Sequence, residues 1–231
     1  MSHNLPSGFV FLSDIDPSII ENVRYATTEN FLGRQVSGYT SNKIICTQEA
    51  AQHLNQVHHY FTERGYNLVV YDGYRPQRAV DEFKYWGRDH QDIRSKPHYY
   101  PTLSKEDLFT LGYLADKGSM HSRGSTFDLT LIKNDKSLKP IVPTRRVLLN
   151  GEEIPFLDDN TVDMGSSFDL FHKASHHDSP LVSATHNEMR DLLRAGMKQF
   201  GFAEYPEEWW HYCLKDEPHP ETYFDFVVEN K

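Results

Sequence analysis

The sequence predicts an α+β fold: one domain over residues 1-231, with a mainly antiparallel central sheet flanked by helices. Three observations lead there. A chain of 231 residues suits one good-sized domain. Helical and strand patterns are mixed without the regular alternation of a doubly wound sheet. No internal repeat, low-complexity tract or linker divides the chain.

The elements follow in order. "TQEAAQHLNQVHHYFTERG" (47–65) carries Ala50, Ala51, Leu54, Val57 and Phe61 at helical spacing, with Thr47 as cap and Gly65 as stop. "YNLVVYDGYRP" reads as a buried strand from Asn67 to Tyr71 that ends in a turn at Asp72-Gly73. A helix begins at Pro76 or Gln77, with Ala79, Val80 and Phe83 on one side; proline suits a first turn. "GSMHSRGSTFDLTLI" predicts two short strands around a turn at Gly124-Ser125, and "VLLNGEEI" a hairpin bent at Asn150-Gly151. "THNEMRDLLRAGMKQFG" is the clearest helix, with Met189, Leu192, Leu193, Gly196, Met197 and Phe200 on one face. The tryptophan-bearing segment "EEWWHYCL" follows as a strand.

Composition excludes several classes. A net charge of -9 argues against a nucleic-acid groove, and "TRR" at 144–146 is too small a basic patch to change that. No stretch approaches the ~20 apolar residues of a membrane helix, and the N-terminal segment lacks the pattern of a signal peptide, so the expected location is the cytoplasm. Cys46 and Cys213 alone cannot make a disulfide framework. Thirteen histidines, by contrast, favour a metal site.

In the predicted hairpin, a two-residue turn pairs 121 with 128 and sets His121 against Asp128, with Cβ atoms roughly 5 Å apart. Such a pair serves as two zinc ligands or as a hydrogen bond that steadies the hairpin. His211 is the attractive third ligand, and Glu208 the general base that hydrolysis by a metal-bound water needs. Residues three apart on a regular strand face opposite ways, so Glu208 and His211 converge only through a bulge or a turn. Taken alone, "EEWWHY" also suits an ordinary core strand. Arg75, just past a buried strand, is either structural or a fixed cation for an oxyanion or a carboxylate. "SHHDSP" (175–180) is a competing histidine cluster, but adjacent histidines on an extended chain do not readily share one ion.

Together these segments resemble a known family. "RYATTENFLGRQVSGY", "YDGYRPQRAV", "SMHSRGSTFDLTL", "MGSSFDLF", "EEWWHYCLKDEP" and "YFDF" occur in the order found in zinc-dependent D-alanyl-D-alanine dipeptidases of the vancomycin-resistance and D-alanine-recycling type. The resemblance covers most of the chain. It implies one zinc per chain on the sheet, held by His121, Asp128 and His211, with Glu208 as catalytic base and Arg75 steadying the tetrahedral intermediate. It further implies Tyr25 and Asp169 at the substrate's amino group, with Ser119 and Tyr39 nearer its carboxylate. The partner implied is a small dipeptide, not a nucleic acid or a membrane; oligomeric state is left open.

This chain departs from the family twice. Thr126 replaces a small alanine in the expected turn, and a run at about 133-163 is some twenty residues longer than the family's connection. That insertion is either an inert hairpin or a flap over the pocket. A flap would suit a D,D-carboxypeptidase that cuts longer peptidoglycan stems. A zinc-stabilised binding protein without catalysis is the remaining alternative; Glu208 and Arg75 speak against it, since neither is needed merely to hold zinc.

Overall fold

Residues 5–230, the part that the computed structural model describes, fold around a five-stranded sheet. The chain opens with β1 (Phe9–Phe11), α1 (Leu12–Ile15) and β2 (Ile20–Glu21), then forms β3 (Ile45–Thr47) and α2 (Gln48–Thr62). Next come β4 (Tyr66–Asp72), α3 (Gln77–Arg88) and two short helices, α4 (Lys96–Tyr99) and α5 (Lys105–Thr110). The second half contains β5 (Thr126–Lys133), β6 (Val142–Val147), β7 (Glu153–Asp158), α6 (Ala184–Gln199), β8 (Phe202–Tyr205) and β9 (Glu208–Leu214). Among the described residues, no helix is long and apolar enough to cross a membrane.

The sheet runs β2-β4-β5-β9-β8, and every pairing is antiparallel except β2 with β4. β5 is central and is buried from Thr126 to Ile132, so both of its faces are covered. Helix α2 starts where the sequence places it, with the Thr47 hydroxyl accepting from the Ala50 N–H at 3.3 Å. Its apolar face meets α6 at Gly196, where a Cβ would fall 2.4 Å from Phe61 Cζ; only glycine allows that approach. Leu54, Phe61, Leu193 and Met197 are all fully buried beneath these helices. Each such side chain contributes about 1.5–3 kcal/mol of burial energy.

The expected hairpin at Gly124-Ser125 does not form. Met120–Arg123 is instead a turn of 3-10 helix, capped by the Ser119 side chain, which accepts from the His121 N–H, and ended by Gly124 at φ +88°. Ser125 is already committed to the sheet, its carbonyl accepting from the Leu214 N–H at 2.9 Å. Thr126 therefore opens β5 opposite Cys213, in a strand and not in a turn. The hairpin expected at Asn150-Gly151 does form, as the two-stranded β6–β7 sheet. Its Ile154 joins Leu148, Leu170, Ala174 and Val182 in a small apolar cluster separate from the main core.

Gly124 and Gly151 share a left-handed backbone, but a Cβ at 124 would lie 2.3 Å from Phe9 Cε1, whereas nothing lies within 4 Å of one at 151. Gly124→Ala should therefore lose ~2 kcal/mol or more in urea unfolding, combining backbone strain with overpacking. Gly151→Ala should lose only the backbone share of ~1–2 kcal/mol. Equal losses would contradict this packing.

Candidate metal centre and cavity

Two departures from regular pairing assemble the site. On β4, Val70 pairs with Leu129 and Asp72 with Asp128, so two steps on β4 answer one on β5 and Tyr71 is the extra residue. On the other side, Glu204 pairs with Tyr212 and Tyr205 with Glu208, so one step on β8 answers four on β9. The second irregularity is the bend that the spacing of Glu208 and His211 demands. It brings Glu208 Oε2 to 3.5 Å from His211 Nδ1. Asp128 itself pairs with His211 across β5 and β9.

His121 reaches the same point from the 3-10 turn. His121 Nε2 lies 3.3 Å from Asp128 Oδ1 and 3.3 Å from His211 Nδ1, and the third edge, His211 Nδ1 to Asp128 Oδ1, is 3.2 Å. A tetrahedral ion with bonds of ~2.0–2.1 Å separates its ligand atoms by about 3.3 Å. The triangle matches that span. His121 Nδ1 donates to the Gly73 carbonyl at 2.8 Å, which leaves Nε2 with its lone pair toward the cluster. Asp128 Oδ1 is buried with no hydrogen-bond donor. Three potential ligand atoms at this spacing, one of them a buried carboxylate oxygen without a donor, suit a cation between them, and the three residues fit one.

Arg75 braces this cluster from behind. Its Nε donates to Asp72 Oδ2 at 2.8 Å and its Nη2 to Asp128 Oδ2 at 3.2 Å, while its guanidinium lies 5.1 Å from the ring centres of Tyr25 and Phe83. Beside the cluster opens a cavity of about 190 Å³, below the ~300–1,000 Å³ of clefts for drug-sized ligands. Tyr25, Arg75, Ser119, Asp169 and Glu208 line it together with the three cluster residues. The Tyr25 hydroxyl donates to Asp169 Oδ2 at 2.9 Å, and Asp169 holds a left-handed φ of +60°, which aspartate tolerates better than most residues.

Negative charge dominates. Asp72, Asp128, Asp169 and Glu208 converge on the Arg75 guanidinium and two imidazoles. Burial pushes the Glu208 carboxyl well above the ordinary range, and the charges of Asp128 and Asp169 push it the same way. Asp169 rises likewise, through burial and then Asp128. Burial would also raise Asp128, but the neighbouring imidazoles of His121 and His211 outweigh it and hold that carboxyl well below the usual value. Such a cavity favours cations.

Of the sequence-predicted residues, Tyr39 alone is not at the cavity wall. Its hydroxyl donates to Asp72 Oδ1 at 2.7 Å, behind Arg75. Sequence reading missed Asp72, which the "DGYRP" turn carries three residues before Arg75, and Tyr113, Phe31 and Phe171 on the wall. No residue from 133–163 lines the cavity. In "SHHDSP", His176 Nε2 meets the Tyr113 hydroxyl at 3.0 Å. His177 is buried against the Tyr212 ring, 5.7 Å between ring centres, and neither of its ring nitrogens has a partner.

A triangle able to hold a metal, with a buried carboxylate and a guanidinium against it, has the parts that metal-assisted hydrolysis needs. The family model described as D-ala-D-ala dipeptidase, of peptidase family M15, matches residues 6–141 and 156–229. A D-alanyl-D-alanine dipeptidase of Enterococcus faecium is 39% identical over 222 residues, covering 96% of this chain and 98% of that protein. Those of Enterococcus faecalis and Streptomyces coelicolor are also 39% identical, over 97% and 95% of this chain and 100% and 98% of their own lengths. The chain belongs to the D-alanyl-D-alanine dipeptidase family. The internal unmatched stretch, 142–155, falls in the β6–β7 hairpin.

Burial pushes the His177 imidazole down to about 4, with Arg194 adding to the effect. A histidine buried neutral binds fewer protons folded than unfolded. Its contribution is thus complete above the unfolded value of ~6.5 and is lost as pH falls toward 4. Unfolding free energy should fall by up to ~3 kcal/mol across that window, and His177→Gln should flatten the slope; an unchanged slope would remove this role from His177.

Proposed function

We propose that this chain is a zinc-dependent dipeptidase that hydrolyses D-alanyl-D-alanine to two D-alanines. The observation that carries the reading is the His121–Asp128–His211 triangle with Glu208 beside it, in a cavity that also holds the Tyr25–Asp169 pair. The three ligands are of the type that zinc takes in open catalytic sites, with one ion per chain. Zinc bound there would act as a Lewis acid toward the scissile carbonyl and acidify a water molecule.

The remaining work belongs to the side chains. Glu208 takes a proton from the attacking water and returns it to the leaving amine. Its raised pKa suits that return, and a cation at the triangle would act in the opposite direction. Arg75, fixed by Asp72 and Asp128, offsets the negative charge that develops on the carbonyl oxygen. Asp169, held by Tyr25, receives the substrate ammonium; an N-blocked peptide would leave that buried carboxylate unpaired. Ser119 lies on the wall near the carboxylate end, while Tyr39 supports it only through Asp72. The insertion at about 133-163 contributes nothing to the cavity wall, which favours the dipeptide over longer stems.

Chelation should abolish release of D-alanine from D-Ala-D-Ala, and zinc should restore it at one ion per chain, as read by metal analysis beside the assay. Glu208→Gln should keep its zinc and lose ~10²–10⁴ in turnover; full activity in that variant would dismiss it as the base. Arg75→Met should lower kcat by ~10²–10³. N-acetylated dipeptide and pentapeptide should be poor substrates. Preference for either would move the assignment to a D,D-carboxypeptidase.

A further inference from the structure

Arg24, Tyr71 and Phe168 have a common property: each stands immediately before a residue of the site, namely Tyr25, Asp72 and Asp169. The first two also meet at one carboxylate outside the cavity. Asp159 Oδ2 accepts from Arg24 Nη2 at 2.5 Å and from the Tyr71 hydroxyl at 2.6 Å. The Tyr71 ring stacks on Phe168 with centres 4.6 Å apart and planes 18° apart, and the Arg24 guanidinium lies 5.1 Å from the same Tyr71 ring. Asp159 is itself held, its Oδ1 accepting from the Thr161 hydroxyl at 2.7 Å and from the Thr161 N–H at 3.1 Å. Asp159 and Arg24 are both buried.

We propose that Asp159, at the foot of the inserted hairpin, is a positioning residue for the amino-end subsite: through Arg24 and Tyr71 it sets Tyr25 and Asp169 relative to each other. The inference rests on the assignment of Tyr25 and Asp169 to the substrate ammonium. Tyr25 belongs to the 3-10 turn Arg24–Ala26, so anchoring the Arg24 guanidinium limits the rotation of that turn. Asp169 holds an uncommon left-handed backbone just after Phe168, whose ring is clamped by Tyr71 on one side and by Trp210 on another, at 5.5 Å. Tyr71 can reach Phe168 and Asp159 because it is the unpaired extra residue of β4. One carboxylate thus ties together the two backbone segments whose side chains form the Tyr25–Asp169 hydrogen bond.

A positioning role makes a specific demand: its loss must damage recognition of the amino group more than hydrolysis in general. The test compares kcat/KM for D-Ala-D-Ala and for N-acetyl-D-Ala-D-Ala in the zinc-loaded wild type, Asp159→Asn, Tyr71→Phe and Lys139→Met. Asp159→Asn should reduce the preference for the free amine by about tenfold, mainly through KM, within the ~10²-fold that a misplacement of about 1 Å costs. Tyr71→Phe removes one hydroxyl and keeps the ring on Phe168; it should act in the same direction by about threefold, and serves should Asp159→Asn fail to fold. Lys139→Met breaks only the exposed pair with Asp158 on the same insertion and should match the wild type. A wild-type preference that survives both Asp159→Asn and Tyr71→Phe overturns the inference alone. A wild type with no preference overturns the amino-end assignment, and the inference with it.

Discussion

Asp128 is a carboxylate in the middle of the central strand, 2% exposed and without a hydrogen-bond donor at Oδ1, and much of the molecule is arranged around it. A buried charge left alone costs several kcal/mol. Each neighbouring segment therefore supplies a compensating group: the turn after β4 the Asp72-anchored Arg75, β9 His211, and the 3-10 turn His121. None of these partners saturates the carboxylate. The shortfall is local, lies at the mouth of a cavity, and has the span of one metal ion.

The same sheet explains how so many polar groups meet without dismantling the core. Phe127, Leu129 and Leu131 alternate with Asp128 and Thr130 along β5 and are fully buried. A perfectly paired sheet would place Glu208 and His211 on opposite faces. The irregularity on β9 sets both beside the cavity, and the single extra residue on β4 frees Tyr71 to serve the opposite wall. Trp209 and Trp210 fill the space around the break: Trp209 Nε1 donates to the Ser166 hydroxyl at 3.0 Å, and Trp210 packs against Phe168. The paired tryptophans are wall and brace at once.

Charge and shape then agree with each other. Asp128, Asp169 and Glu208 line a small cavity with Asp72 behind them, and burial together with the charge of Asp128 raises the pKa of the other three, a costly arrangement unless cations are the normal occupants. The inserted hairpin stays outside this field. It shares a small apolar cluster with Leu170, Ala174 and Val182, and at its foot Asp159 meets Arg24 and Tyr71 outside the cavity.

Local pattern in the sequence determined the two long helices, the buried strand before "DGYRP", the hairpin at Asn150-Gly151 and the α+β class, because helix and strand periods and caps are properties of a few adjacent residues. Ordered motifs were enough to nominate His121, Asp128, His211, Glu208, Arg75, Tyr25, Ser119 and Asp169, all of which line one cavity. The route to them was only partly right. His121 meets Asp128 from a capped 3-10 turn, not across a hairpin, because Ser125 already bonds to Leu214 in the sheet. The roles of Asp72, Tyr39 and Asp159 were not legible, since each depends on partners far along the chain: Tyr39 with Asp72, Arg24 with Asp159, Tyr71 with Asp159. Sequence determines which groups can carry charge and where the chain turns; which charges share one buried volume, and which carboxylate is left short of a donor, is decided only when distant strands pair.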